Sequence, residues 1–366
     1  MVLLEPLSFC YGQDTLRGVD RAPDYIPIGE RIRMANEYTN PPTVAEYLHR
    51  NGLLEHIILL KYGPSGTLER VSYVRHMEWF PENGFNSDRY WHPKKPRDIS
   101  SSTLPSKYGR VAMLLNDDVV QSVDWSINPP ITFLAYTLPS TVWDNPTFRL
   151  TPTPYDMYGF NRFCITLVDM VKTPFLERKP VIIWRGETHG MADMNRFLLI
   201  KMSEKNRDWL DCRSTLKDHS LRMERMDMSE YRYQIDIGGE SGTTWGGLLW
   251  KMCSGSLIFK VETFSKDWWH DLLKPWEHYI PVEELVSDLP EKYEWVEKNL
   301  DKAAIIAQNG NDLCRKVSTE EFVWNYHKEL LNNLPEATKE QVQEIDSIMD
   351  GLVVDATYHY ESETLK

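Results

Sequence analysis

An arginine at the exit of an apolar run is the first place where this sequence offers chemistry. In RKPVIIWRGETHG, residues 178–190, the run Val181, Ile182, Ile183 and Trp184 reads as a buried strand that ends on Arg185 and Gly186. A buried guanidinium without a partner is very costly, so Arg185 must meet an anion, either a nearby carboxylate or a bound phosphate. Thr188 and His189 follow with further hydrogen-bonding groups, and Arg196 falls about two turns into the helix expected next.

A second stretch, IGGESGTTWGG at 237–247, sets glycines and small hydroxyl residues ahead of an expected helix. Backbone N–H groups and the positive end of a helix make an anion site there. A tight turn with its caps reads equally well from the same string. The pattern is neither GxGxxG nor a P-loop. A third stretch, LLNDD at 114–118, ends a strand on Asp117 and Asp118. A carboxylate at a strand end is placed for general-base work, and a solvated loop acid fits the same pattern. The chain has no Asp-x-Asp, no HExxH and no GxSxG, so it lacks the usual metal–diphosphate clamp and the nucleophile elbow.

The bulk properties bound what such sites serve. A net charge of −13 argues against a general nucleic-acid binder. It leaves room for a small anion in one local basic pocket. No stretch approaches 18 apolar residues, so no membrane span is expected. The N-terminus lacks a basic segment and a long apolar core, and so is a poor signal peptide. The five cysteines are widely spaced, with no CxxC; they read as neither a zinc site nor a secreted disulfide framework. A reduced, cytoplasmic setting is the simpler expectation.

The elements that position these residues alternate. Thr43 and Glu46 form a capping box for a first helix. HIILLKYG (56–63), RVAMLLNDD (110–118) and ITFLAYTL (131–138) read as strands, and residues 156–172 as a helix. Strand 181–184 precedes a helix at 194–204, and residues 231–262 read as strand, Gly-rich loop, helix, strand. Residues 291–310 form a helix stopped by Gly310; Ser318 with Glu321 and Thr338 with Gln341 cap two more. This alternation favours an α/β fold with mostly parallel sheets, which bind ligands outside the carboxyl ends of their strands.

One further string is specific enough to carry a resemblance. WWHDLLKPWEHYIPVEELVSDL, residues 268–289, closely resembles the KPWxHYxPV segment of glycosyltransferase family 90, which includes capsule xylosyltransferases and protein O-glucosyltransferases. SGSLIFK at 254–260, the Trp184-Arg185-Gly186 strand end and the spacing of Asp118, Gln121, Trp125 and Phe133 extend the similarity over about residues 110–330. Members without a signal peptide occur in giant algal viruses, and the chain is similar to that kind.

The resemblance implies an α/β fold of GT-B type, with two Rossmann-like domains facing across a cleft. These would be an N-terminal acceptor-side domain at 1–165, a nucleotide-sugar-binding domain at 166–315, and helices at 316–366 packing back on the first domain. It implies an inverting UDP-sugar glycosyltransferase with no essential metal or other cofactor. UDP-xylose or UDP-glucose would be the donor, with xylosyl transfer favoured, and a glycan or glycoprotein hydroxyl the acceptor. Asp118 becomes the general base. The donor site takes Arg185, Gly186, Thr188, His189, Arg196, Glu240, Ser241, Gly242, Thr243, Thr244, Lys251 and Glu262. The family carries an arginine soon after its Gly-rich loop; here that place is Gly247, and no arginine occurs from 233 to 314. Neutralising the diphosphate then falls to Arg185, Arg196, Lys251 and backbone N–H groups. A protein O-glycosyltransferase and a non-catalytic glycan-binding relative are the two rival readings.

Overall fold

The computed structural model describes residues 43–51, 57–73, 103–115, 123–157, 159–188, 193–216, 218–239, 241–244 and 246–351. All of the described residues belong to one compact unit. Within it, two five-stranded sheets follow one another along the chain.

The first half opens with α1 (Val44–Arg50), whose Glu46 N–H donates to Thr43 Oγ1 at 3.2 Å, as the capping box requires. Its strands are β1 (Ile57–Tyr62), β2 (Leu68–Tyr73), β3 (Arg110–Leu115), β4 (Thr132–Ala135), β5 (Thr137–Pro139) and β6 (Phe148–Leu150). The single strand expected over 131–138 is divided at Tyr136, and β5 leaves the sheet. The sheet order is β2-β1-β3-β4-β6. It is mixed: β1 runs antiparallel to β2 and β3, while β3, β4 and β6 are parallel. A short connection at residues 63–67 closes the β1–β2 hairpin, the geometry that only an antiparallel pair allows. Helices α2 (Pro154–Met157) and α3 (Phe160–Val168) follow.

The second half is the regular α/β part. It contains β7 (Lys179–Gly186), α4 (Asp193–Lys205), β8 (Leu210–Ser214), α5 (Arg225–Ser229), β9 (Tyr231–Asp236), α6 (Gly246–Cys253), β10 (Leu257–Val261), β11 (Ser265–Asp267) and β12 (Ile280–Val282). The order β12-β10-β9-β7-β8 is parallel throughout. Both faces are covered: Ile182, Tyr233 and Phe259 lie in one buried cluster, Ile183 and Ile258 in another with α6. Strands buried on both sides read as continuous apolar runs, which is why β7 and β10 were visible in the sequence. The outer edge of β8 is closed by Ser203 of α4, whose hydroxyl accepts from Cys212 N–H and donates to Leu210 C=O, both at 2.9 Å.

Four helices complete the chain: α7 (Leu289–Lys298), α8 (Leu300–Val317), α9 (Glu320–Asn332) and α10 (Lys339–Gly351). Gly310 does not stop a helix. It lies inside α8, where a Cβ would come 2.6 Å from the carbonyl oxygen of His278, so glycine there permits a close approach. The cap of α9 is Thr319, whose Oγ1 accepts from Phe322 N–H, one residue later than expected. Thr338 and Gln341 bond reciprocally at 2.8 and 3.2 Å. Lys61 of β1 pairs with Asp346 of α10 at 2.7 Å, and Arg110 of β3 donates to the Leu334 carbonyl at 2.9 Å. A disulfide joins Cys253, the last residue of α6, to Cys314 of α8, with Cα atoms 5.7 Å apart. This corrects the reading of the cysteines as unpaired: a separation of 61 residues gives no local spacing to recognise. Among the described residues, no helix is long and apolar enough to cross a membrane.

Candidate active site

The carboxyl ends of the five parallel strands gather the residues after Gly186, Ser214, Asp236, Val261 and Val282 along one edge of the second sheet. The Gly-rich segment sits at the centre of that edge, between β9 and α6. Gly242 has φ of +91°, and a Cβ there would lie 2.9 Å from Ser265 Oγ, so the loop folds tightly against β11. Helix α6 starts at Gly246, and the N–H of Gly247 in its first turn donates to the Thr244 carbonyl of the loop at 2.7 Å.

The hydroxyls of this loop turn inward. Thr244 Oγ1 donates to Asp236 Oδ1 at 2.9 Å, and Lys251 Nζ donates to the same oxygen at 2.7 Å. Asp236 is 3 % exposed. Burial alone would raise its pKa; the adjacent Lys251 ammonium, its hydrogen bond, the Lys260 charge and Thr244 outweigh that and hold the carboxyl below its ordinary value. Lys251 is therefore an ion-pair partner beneath the loop, not an uncommitted cation at its surface. Thr243 Oγ1 lies 2.9 Å from Thr137 Oγ1 of β5, which in turn donates to Asp267 Oδ1 at 2.9 Å. Ser241 is fully buried, and its Oγ has no hydrogen-bond partner among the described residues.

Arg196 lies in the first turn of α4, not two turns in. Its two terminal nitrogens donate to the carbonyls of Glu187 and Gly238, each at 2.8 Å. It thereby spans the loops that leave β7 and β9, with its guanidinium 6.0 Å from the Trp184 ring centroid. No other described guanidinium bridges these two exits.

Arg185 is elsewhere. Its Nη1 donates to the carbonyls of Trp184 (2.9 Å) and Asp211 (2.7 Å), and its Nη2 to Asp211 Oδ2 at 2.7 Å. Because Asp211 is in register with Ile183, two residues back, the side chain turns away from the strand exit. The anion it meets in this structure is the Asp211 carboxylate. Arg213 and Arg207 also donate to Asp211, at 2.7 and 3.2 Å. Burial would raise the Asp211 pKa, but the bonds from Arg185 and Arg213 lower it overall.

The remaining expected residues are placed as follows. The Gly186 carbonyl accepts from Thr215 N–H at 2.8 Å. Thr188 Oγ1 lies 3.4 Å from Ser214 Oγ at the same exit. Glu262, exposed just past β10, accepts from Tyr279 Oη at 3.1 Å. Asp118, His189 and Glu240 lie outside the described residues, as do Asp117 and Gln121. Asp236, Asp267 and Thr137 were missed. Asp236 did leave a signal: it and Gln234 are polar at alternate positions of a strand otherwise buried, and such residues need partners.

A family model described as Glycosyl transferase family 90 matches residues 146–354. The match covers more than half of the chain, and the chain belongs to that family. Among similar proteins, Protein O-glucosyltransferase 2 of Danio rerio is 27 % identical over 213 residues, covering 54 % of this chain and 42 % of that protein. Protein O-glucosyltransferase 3 of Homo sapiens is 26 % identical over 202 residues, covering 52 % and 39 %. Uncharacterized protein 179R of Invertebrate iridescent virus 6 is 33 % identical over 113 residues, covering 30 % and 10 %. The chain thus spans less than half the length of the curated relatives it matches.

Proposed function

We propose that this glycosyltransferase takes its sugar from a UDP-sugar and transfers it with inversion, without an essential metal, to a hydroxyl of a glycoprotein or glycan. The observation that carries the reading lies inside the family-matched span: a tightly folded Gly-rich loop leads into a helix at the carboxyl edge of a parallel sheet, with Arg196 bridging the neighbouring exits. Loop N–H groups and a buried guanidinium suit a leaving diphosphate. In the reaction, the acceptor oxygen bonds to C1 of the sugar as the C1–O bond to phosphate breaks. The electron pair leaves with UDP, and the acceptor proton passes to a carboxylate, the role that the family resemblance gives Asp118.

Glucose is the sugar we favour over xylose, and a protein the acceptor we favour over a free glycan; the names of the similar proteins support this choice. A screen of UDP-glucose, UDP-xylose and other nucleotide sugars for UDP release, with and without EDTA and with small acceptors, tests the reading. UDP release from one donor that survives EDTA is the expected result. Absence of turnover and of UDP binding would favour a non-catalytic relative; loss on chelation restored by Mn²⁺ would reveal a metal site.

A further inference from the structure

The two halves meet at a small ribbon that neither sheet contains. Strand β5, from the first half, pairs antiparallel with β11, from the second, through Ser265 with Pro139, Lys266 with Leu138 and Asp267 with Thr137. On this ribbon a chain of three buried side chains reaches the Gly-rich loop: Thr243, Thr137 and Asp267 are 4 %, 1 % and 2 % exposed. Its direction is fixed by donor count. A threonine hydroxyl has one proton, and a carboxylate only accepts. Thr137 gives its proton to Asp267, so it must accept from Thr243. The loop hydroxyl is therefore a donor to the opposite half of the molecule and has no proton left for a ligand.

We propose that Thr137 is a positioning residue for the donor loop: the first half of the chain sets the conformation in which the second half binds a nucleotide diphosphate. This rests on the donor site proposed above. Beneath the loop, Asp236 holds Thr244 from within the second half; through Thr137, Asp267 holds Thr243 from across the ribbon. With two adjacent threonines drawn to two different carboxylates, the peptide between them is fixed at both ends. Removing the Thr137 hydroxyl leaves the Thr243 proton and an Asp267 oxygen without their bond in a buried place, and the loop must move to resolve it.

Thr137→Val keeps the shape and removes the hydroxyl. We expect UDP affinity by calorimetry to fall about tenfold, the scale of one buried hydrogen bond, with faster amide exchange over residues 237–245 in the free protein. The donor KM should rise more than kcat falls, and Thr137→Ser should restore both. Thr243→Val should weaken binding similarly, and the double variant should be no weaker than either single one. It also carries the test if Thr137→Val does not fold. Unchanged exchange and UDP affinity in either variant, or losses that add in the double variant, would overturn the proposal while leaving the donor site intact. If the wild-type chain binds no UDP, the donor site itself is wrong and the proposal falls with it.

Discussion

Asp211 receives three guanidiniums, and the most buried of them, Arg185, turns back along β7 to reach it at 2.7 Å. The Arg185 side chain is 8 % exposed and that of Asp211 is 16 %. The pair fastens the edge strand β8 to β7 through charge as well as through the backbone.

Arg185→Ala should therefore act on stability. Removing one partner of a buried pair costs about 3–5 kcal/mol when the other charge is stranded. Arg207 and Arg213 still reach Asp211, so the loss should fall near the lower end, read by urea unfolding. UDP affinity of the folded variant should change less than about threefold, a small part of the effect of a charge-assisted contact. Unchanged stability with a large loss of UDP binding would return Arg185 to the donor site.

Arg196→Gln should do the opposite. A charge-assisted contact to a diphosphate contributes about 1.5–3 kcal/mol, or roughly tenfold to a hundredfold in affinity. Calorimetry with UDP and with uridine separates the terms: the variant should lose the difference between the two ligands. If both ligands bind it as they bind the wild type, Arg196 only ties two loops together.

Asp118→Asn should abolish transfer while leaving UDP binding intact, because asparagine keeps the shape and cannot accept the proton. The expected loss is about 10²–10⁴-fold in kcat. Asp117→Asn is the control, since it removes the same charge at the neighbouring position. A dead Asp117 variant beside an active Asp118 variant would move the base by one residue, and two active variants would remove both.

A fourth expectation concerns acid. His327 on α9 is 5 % exposed, and neither ring nitrogen has a hydrogen-bond partner among the described residues. Burial lowers its pKa to about 4. The unfolded chain binds this proton below about pH 6.5 and the folded chain does not, so stability rises with pH between about 4 and 6.5. His327→Leu should remove that dependence, leaving the variant about 2 kcal/mol better off at pH 5, relative to wild type, than at pH 8. Parallel stability–pH curves for the two proteins would refute the assignment.

The parts of the fold legible in the sequence were those with a local signature. Strands β7 and β10 are continuous apolar runs, and the Thr338–Gln341 cap is a four-residue pattern. What escaped depends on partners far along the chain. Asp211 lies 26 residues from Arg185, Cys314 lies 61 from Cys253, and Asp267 lies 130 from Thr137. The mixed pairing of β1 was hidden because alternation of elements does not report strand direction. The most recognisable string, residues 274–282, runs into β12, an edge strand of the second sheet, and its Tyr279 donates to Glu262. There Trp276, with φ of +63°, packs on Trp295 at 4.8 Å. The family signature is one contiguous string, while the residues of the candidate site are spread singly over several strand exits.

The return of α10 to the first sheet bears on how the protein is made. Lys61 and Asp346 are 285 residues apart, and Arg70 and Asp350 are 280 apart. During synthesis, β1 and β3 emerge first, and the helix that packs on them leaves the ribosome more than 200 residues later. The growing chain must carry an incompletely covered apolar sheet while those residues are made, and such partly folded chains are prone to aggregate. The second, all-parallel half has its strands and the helices α4, α6, α7 and α8 that pack on them within residues 179–317 and can close without α10. Truncation before α10 should thus damage the half of the protein made first, and a chaperone that holds early sheet surfaces should raise the yield of the full chain more than that of its second half.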